Sequence, residues 1–317
     1  MSLELGYLLP TREMIMSGRN ETAGMLALAE RAEHLGMDGI WIGDSLTARP
    51  RHEPLAMLAA VAARCREGAG WYGGAVAGVA QSVLLAHQAA TIDRISEGRL
   101  VLGVGIARDV PSIRAEFEAA GVPFEKRVGR MMEGLELARA LWRGEPVDWD
   151  GRWHLEKATV GPTPHRAGGP LLWVAGALPV SLERAGRHFD GWMPNEGDAA
   201  TWGQRWQEVK RVAAAAGRDA SKLTGAMYLT LSLDDNVAAA NQRLDQYLES
   251  YYNAPAAGLR KRQECFAGPA GAVAPYLAGY AKAGARHLIL RFVGDHIEQM
   301  RQIARVRDEI QAAARAG

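Results

Sequence analysis

The residues of this chain whose types could do chemistry stand where short apolar runs end. Ile40-Trp41-Ile42-Gly43 runs into Asp44-Ser45, an acid beside a hydroxyl. Leu100 to Val104 runs into Gly105-Ile106-Ala107-Arg108, a glycine-opened loop closing on a guanidinium that could fork onto a phosphate. Leu171-Leu172-Trp173-Val174 empties into Ala175-Gly176-Ala177, and a helix opens just beyond. A turn of small residues at a helix N-terminus combines backbone N–H donors with room for close approach, which suits a phosphate. The remaining ends are Pro10, Ala75-Val76, Pro194-Asn195, Leu231 and Arg291 to Gly294. Strong acids and bases are scarce among them, which favours holding a planar cofactor that carries the chemistry itself. Hydrolysis is poorly served, because no G-x-S-x-G elbow exists. His52-Glu53 opens like a zinc helix motif, but Ala56 stands where the second histidine belongs. No other histidine pair has metal spacing, so no metal site is expected.

Those ends need elements behind them. Short apolar runs alternate with amphipathic stretches that carry apolar residues at three- to four-residue spacing, such as Val128, Met131, Leu135, Ala138 and Trp142. Gly144 and Pro146 stop that helix. Strand, helix, strand, helix with short connections argues for a parallel sheet. Eight strand signals in all fit an α/β (β/α)8 TIM barrel better than a doubly wound sheet. The expected organisation is one barrel domain over residues 1–317 with loop insertions near 145–170 and 253–269. A barrel puts its site at the C-terminal strand ends, the positions named above. One stretch fits badly: Cys65 to Ala80 is glycine-rich where the third strand belongs, and glycine weakens strand interiors.

The wording from Gly98 to Gly144 is more specific than any single pattern. R-L-V-L-G-V-G, then E-F-x-A-x-G-V-P-F-x-x-R, then a long helix ending A-L-W-x-G-x-P-V resembles the luciferase-like monooxygenases, which use flavin or deazaflavin. The resemblance runs from Leu3 to about Gly294 and is weakest over 65–82 and 253–269. It implies a bacterial-luciferase-like barrel and a two-component monooxygenase that takes reduced FMN, as a free co-substrate from a separate flavin reductase. Dioxygen would then deliver one oxygen atom to a small organic substrate. The same resemblance assigns Asp44 and Ser45 to the catalytic position and Ala75, Val76, Gly105, Ile106, Arg108, Ala175, Gly176 and Ala177 to the cofactor. Ala75-Val76 is where relatives press a non-proline cis peptide on the flavin ring. Ala177 stands where the family's phosphate turn often has serine, which leaves backbone contacts. Many deazaflavin-dependent relatives carry Asp-His where this chain has Asp44-Ser45, and a serine cannot replace that histidine as a general base at neutral pH. Hydride transfer with F420 is therefore the second alternative. A flavin-binding protein without turnover, motivated by the glycine-rich third strand, is the third.

Composition adds exclusions. A formal net charge of +1 gives no reason to expect nucleic acid or an anionic membrane as partner. No apolar run reaches the roughly 18 residues of a membrane span, and the start lacks the pattern of a signal peptide. Cys65 and Cys265 show no C-x-x-C spacing, so a reducing cytoplasm is the expected setting. A homodimer is compatible with the family.

Overall fold

The computed structural model describes residues 2–66, 69–75 and 81–315, and over 69–75 it describes the backbone. The strands are β1 (Glu4–Leu8), β2 (Gly39–Gly43), β3 (Ala69–Ala75), β4 (Val101–Val104), β5 (Val147–Asp150), β6 (His154–Ala158), β7 (Leu171–Val174), β8 (Gly191–Trp192), β9 (Thr224–Leu233), β10 (Cys265–Gly268) and β11 (His287–Phe292). The chain divides into two compact units. The first comprises Met1–Pro10, Ala23–Trp41 and Trp173–Gly317; the second comprises Thr11–Thr22 and Ile42–Leu172.

In the first unit every strand pairing is parallel: β7 with β8, β8 with β9, β9 with β11, β11 with β1, and β1 with β2. The two outer strands of that series meet, because the Trp41 and Trp173 rings lie 5.6 Å apart. Five strand spacings of about 4.8 Å would separate them on a flat sheet, so this α/β sheet is curled. One face is left to side chains of the sheet itself. A Cβ on Gly6 would meet the Trp41 and His287 rings at 2.5 to 2.6 Å, so glycine is what lets those two rings pack. Trp41 Nε1–H donates to His287 Nε2 at 2.9 Å, which leaves Nδ1–H of His287 to donate to Glu4 at 3.0 Å. The opposite face carries helices. There Gly225 makes room for Trp202 and Trp206 of the helix Ala199–Ala215, which stack with Trp192. That helix starts on Asp198, whose carboxylate accepts from Thr201 N–H at 2.8 Å.

In the second unit β3 pairs in parallel with β4, with a register shift between Tyr72 and Ala75. The glycine-rich segment thus still makes a ladder. The helix Pro54–Arg64 begins with Glu53 capping Leu55 N–H and Ala56 N–H and with proline at its first position. β5 and β6 form an antiparallel hairpin inside the predicted 145–170 insertion.

Three sequence expectations need adjustment. The polar segment expected as a loop over 11–20 begins with the helix Thr11–Met16. The sixth strand, predicted over 190–195, is the short Gly191–Trp192. The supposed insertion 253–269 contains the helix Ala256–Arg260 and then β10, which joins the sheet in parallel beside β9 from Thr230 to Leu233. Among the described residues no helix is long and apolar enough to cross a membrane, and no group of three His, Cys, Asp or Glu side chains could hold a metal ion.

Candidate functional site

The sequence-predicted residues fall in both units, and each set is built separately. In the second unit, β2 ends at Gly43 and delivers a half-buried Asp44 and a buried Ser45. The loop that follows is held by one side chain. Glu116, in the helix Pro111–Ala119, is fully buried, and its Oε1 accepts from Ser45 Oγ at 2.9 Å, from Leu46 N–H, from Thr47 N–H at 2.8 Å and from Ala48 N–H at 3.4 Å. Ser45 Oγ in turn accepts from Arg49 N–H at 2.9 Å. The serine hydrogen is therefore committed to a carboxylate, and the hydroxyl serves the loop.

The loop after β4 is anchored from the opposite side. Arg127 donates to Ile106 O at 2.8 Å and to Phe124 O at 3.0 Å, while its guanidinium covers the Phe124 ring at 3.7 Å. Ala107 sits in the left-handed region at φ +57°, a conformation an alanine adopts at a cost. Arg108 is exposed, and Gly105 and Ile106 are half-buried. Ala48 from the first loop and Ala107 and Val110 from the second pack on one cluster of Ile113, Phe117, Val122 and Phe124. The structure thus brings the Ser45 and Ile106–Arg108 loops onto a common support. Exposed Asp109 pairs with Arg114 at 2.6 Å, and that guanidinium holds its carboxyl below the usual range. Ala75 ends β3; Val76, and with it the expected Ala75-Val76 cis peptide, lies outside the described residues.

In the first unit, β7 ends in the turn Ala175-Gly176-Ala177, all three residues half-buried, before the helix Pro179–His188. Gly176 has φ +112°, and a Cβ there would meet Ser181 Oγ at 2.8 Å, so this position requires glycine. Trp192 Nε1–H fixes the turn by donating to Gly176 O at 2.7 Å. Leu178 at the N-cap supplies no side-chain cap, Pro179 has no N–H, and Ser181 N–H donates to Leu178 O at 2.7 Å, which leaves Val180 N–H as the first-turn donor. A close-approach turn opening an uncapped helix fits a phosphate group. The hydroxyl missing at Ala177 has a neighbour that the sequence did not point to, Ser181 beneath Gly176.

Glu116, Arg127 and Ser181 are the site-building residues that sequence reasoning left out. Trp41, Trp173 and Trp192, which lie in strands and read as core from the sequence, are buried. His87, by contrast, reads as a core histidine in an apolar helix, yet it lies on the exposed face of the helix Ser82–Ile95.

A parallel α/β sheet whose strands end in small-residue turns defines the class to which this molecule belongs. The luciferase-like monooxygenase family matches residues 3–315, and the chain belongs to that family. Among similar proteins, the phthiodiolone/phenolphthiodiolone dimycocerosates ketoreductase of Mycobacterium sp. strain JLS is 33% identical over 202 residues. That match covers 62% of this chain and 52% of the ketoreductase, so it spans about half of that relative's length. The F420-dependent glucose-6-phosphate dehydrogenase of Nocardia farcinica strain IFM 10152 is 30% identical over 251 residues, covering 73% of this chain and 69% of the relative. The crystal structure of a monooxygenase from Streptomyces bottropensis shares the fold with a TM-score of 0.80 at 24% identity, covering 96% of this chain and 98% of that one.

Proposed function

We propose that this chain is an oxidoreductase with a closed (β/α)8 barrel, and that it works as a two-component monooxygenase with reduced FMN and O2 on a small organic substrate. The observation that carries this reading is Ser45. Where deazaflavin relatives often have a proton-transferring histidine, this chain has a hydroxyl whose hydrogen is donated to Glu116. A reaction in which the protein supplies no proton-transfer group at that position suits monooxygenation. When bound, the flavin would supply the activation of dioxygen and its transfer to substrate.

The chain's own residues bind, orient and exclude water. The Ala175-Gly176-Ala177 turn and the helix start after it would hold the phosphate through backbone N–H groups. Arg108 is a second candidate for a phosphate contact, through its guanidinium. Asp44 would accept a hydrogen bond from the ring edge, Gly105 and Ile106 would line the ring, and Ala75-Val76 would support its face. Family relatives that are oxidoreductases and monooxygenases support the reading as an enzyme. Oxygen uptake tests it: the chain, a flavin reductase, NADH and a panel of small organic substrates should give substrate-dependent oxygenated product.

A second reading is F420-dependent hydride transfer, which the F420-dependent glucose-6-phosphate dehydrogenase relative favours at 30% identity. Oxidation of a substrate by F420 without oxygen would establish it in place of the first. The family also favours a homodimer, which sedimentation velocity would detect.

A further inference from the structure

In the first unit, β11 carries an arginine among apolar neighbours next to its end, His287-Leu288-Ile289-Leu290-Arg291-Phe292, and the helix Val237–Tyr252 reaches it with three tyrosines. Arg291 is 1% exposed. It pairs across the ladder with Thr230 of β9, and its guanidinium lies 5.1 to 5.6 Å from the ring centres of Tyr228, Tyr247, Tyr251 and Tyr252. Its hydrogen bonds all go to neutral acceptors. Nε and Nη2 donate to Thr230 Oγ1, Nη1 donates to the Tyr252 hydroxyl, and Nη2 also donates to Gln263 Oε1. Among the described residues no carboxylate forms an ion pair with it. A buried guanidinium with no counter-charge is costly, and aromatic faces offset only part of that cost.

Gln263 completes the picture. It is 6% exposed, and its Oε1 is fixed by Arg291 Nη2 at 2.7 Å and by the Tyr252 hydroxyl at 3.2 Å. That fixes which end of the amide is which, and the Nε2 group is buried with no hydrogen-bond partner. A guanidinium has five N–H donors, so the four bonds of Arg291 leave one N–H on Nη1. Two unfilled donors, one of them on a cation, thus belong to two side chains that are hydrogen-bonded to each other beside the tyrosines. Tyr228 and Tyr247 are only half-buried, so the guanidinium lies one side chain beneath the surface.

We propose that Arg291 and Gln263 form a binding site for a monoanion, the carboxylate of a small organic molecule whose body rests on the tyrosine rings. The charge balance selects the class. One carboxylate neutralises one guanidinium and would accept from the buried Gln263 Nε2, whereas a phosphate dianion would leave a buried negative charge. The site is made from side chains of one unit and stands whichever cofactor the chain uses.

Calorimetric titration of the full chain with benzoate, and with benzamide as the uncharged isostere, tests it. Benzoate should bind saturably and raise the thermal midpoint, with benzamide about tenfold weaker or worse because the charge is missing. Arg291→Met removes the cation but could fail to fold. Gln263→Glu is the decisive variant, because one carboxylate oxygen keeps the bonds to Arg291 and Tyr252 while the other places a negative charge where the ligand's would lie. It should abolish benzoate binding with a thermal midpoint at or above wild type. Equal binding of benzoate and benzamide, no binding of either, or wild-type affinity in Gln263→Glu would each overturn the proposal.

Discussion

Glu116 shows how one buried oxygen can organise a functional loop. Removing it in Glu116→Ala strands the Ser45 hydroxyl and the N–H groups of residues 46–48. A loss of about 2 kcal/mol in urea unfolding is expected; Glu116→Gln, which keeps an acceptor oxygen, should lose less. A stability unchanged by both would remove Glu116 from its role. Little in the sequence marks this residue. In R-A-E-F-E-A it reads as one more acid on a solvated helix, and only a loop some 70 residues earlier makes it buried. Asp44 and Ser45 were legible because the apolar run before them marks a strand end; Gln263 and Arg291 were not legible as a pair, since their meeting depends on β10 joining β9. Two titrations belong at this scale. Burial pushes the Glu264 carboxyl up from its usual 4.5, against a hydrogen bond from Tyr276. Its folded value lies above its unfolded one, so its contribution is complete below about pH 4.5 and is lost as pH rises through the folded value. Urea midpoints of Glu264→Gln should lack that decline, and an identical pH profile in the variant would contradict the assignment. Burial also pushes the Cys265 thiol up to about 11. Alkylation of Cys265 at pH 8 should therefore be much slower than that of a free thiol and should approach the free rate on unfolding.

At the scale of elements, glycines set the tolerances. Gly225→Val would drive its side chain into Trp202 and Trp206, where even a Cβ stands 2.8 to 3.0 Å from ring atoms. A loss of about 2 kcal/mol or more is expected by thermal or urea unfolding. Gly176→Ala adds both a positive φ and a contact with Ser181, so it should lower stability by about 1 to 3 kcal/mol and also loosen a phosphate-bearing ligand. The long, strongly patterned elements were readable: the sequence predicts strands over 223–233 and 287–292 and a helix over 237–252, and β9, β11 and the helix Val237–Tyr252 stand within a residue of those bounds. Shorter ones were not. Six residues from Asp190 read as a strand, and Gly191 and Trp192 form it; beyond them Met193 N–H still donates to Val174 O at 3.0 Å and Pro194 O accepts from Tyr228 N–H at 2.9 Å. The Cys265–Gly268 strand was hidden because four residues with two small members carry no period, and its pairing comes from the partner β9. Conversely, the glycine-rich third strand looked unfit, yet neighbouring β4 supplies the ladder that its own side chains do not specify.

At the scale of the whole chain, the positions that the sequence assigned to one barrel mouth fall in both units. The second unit holds the Asp44-Ser45 and Gly105–Arg108 loops on a shared apolar cluster, and the first holds the Gly176 turn. The chain belongs to the luciferase-like monooxygenase family, and the cofactor proposed for it is a flavin. Binding at a hundredfold excess over Kd should stabilise the fold by about 2.7 kcal/mol, which a thermal midpoint reads directly. The most direct measurement is an anaerobic titration of the chain with FMN, reduced FMN and F420, followed by calorimetry and fluorescence. Tighter binding of reduced FMN than of either competitor is the predicted result, with affinity lowered in Gly176→Ala. A preference for F420, or no binding of any of the three, would contradict the monooxygenase account.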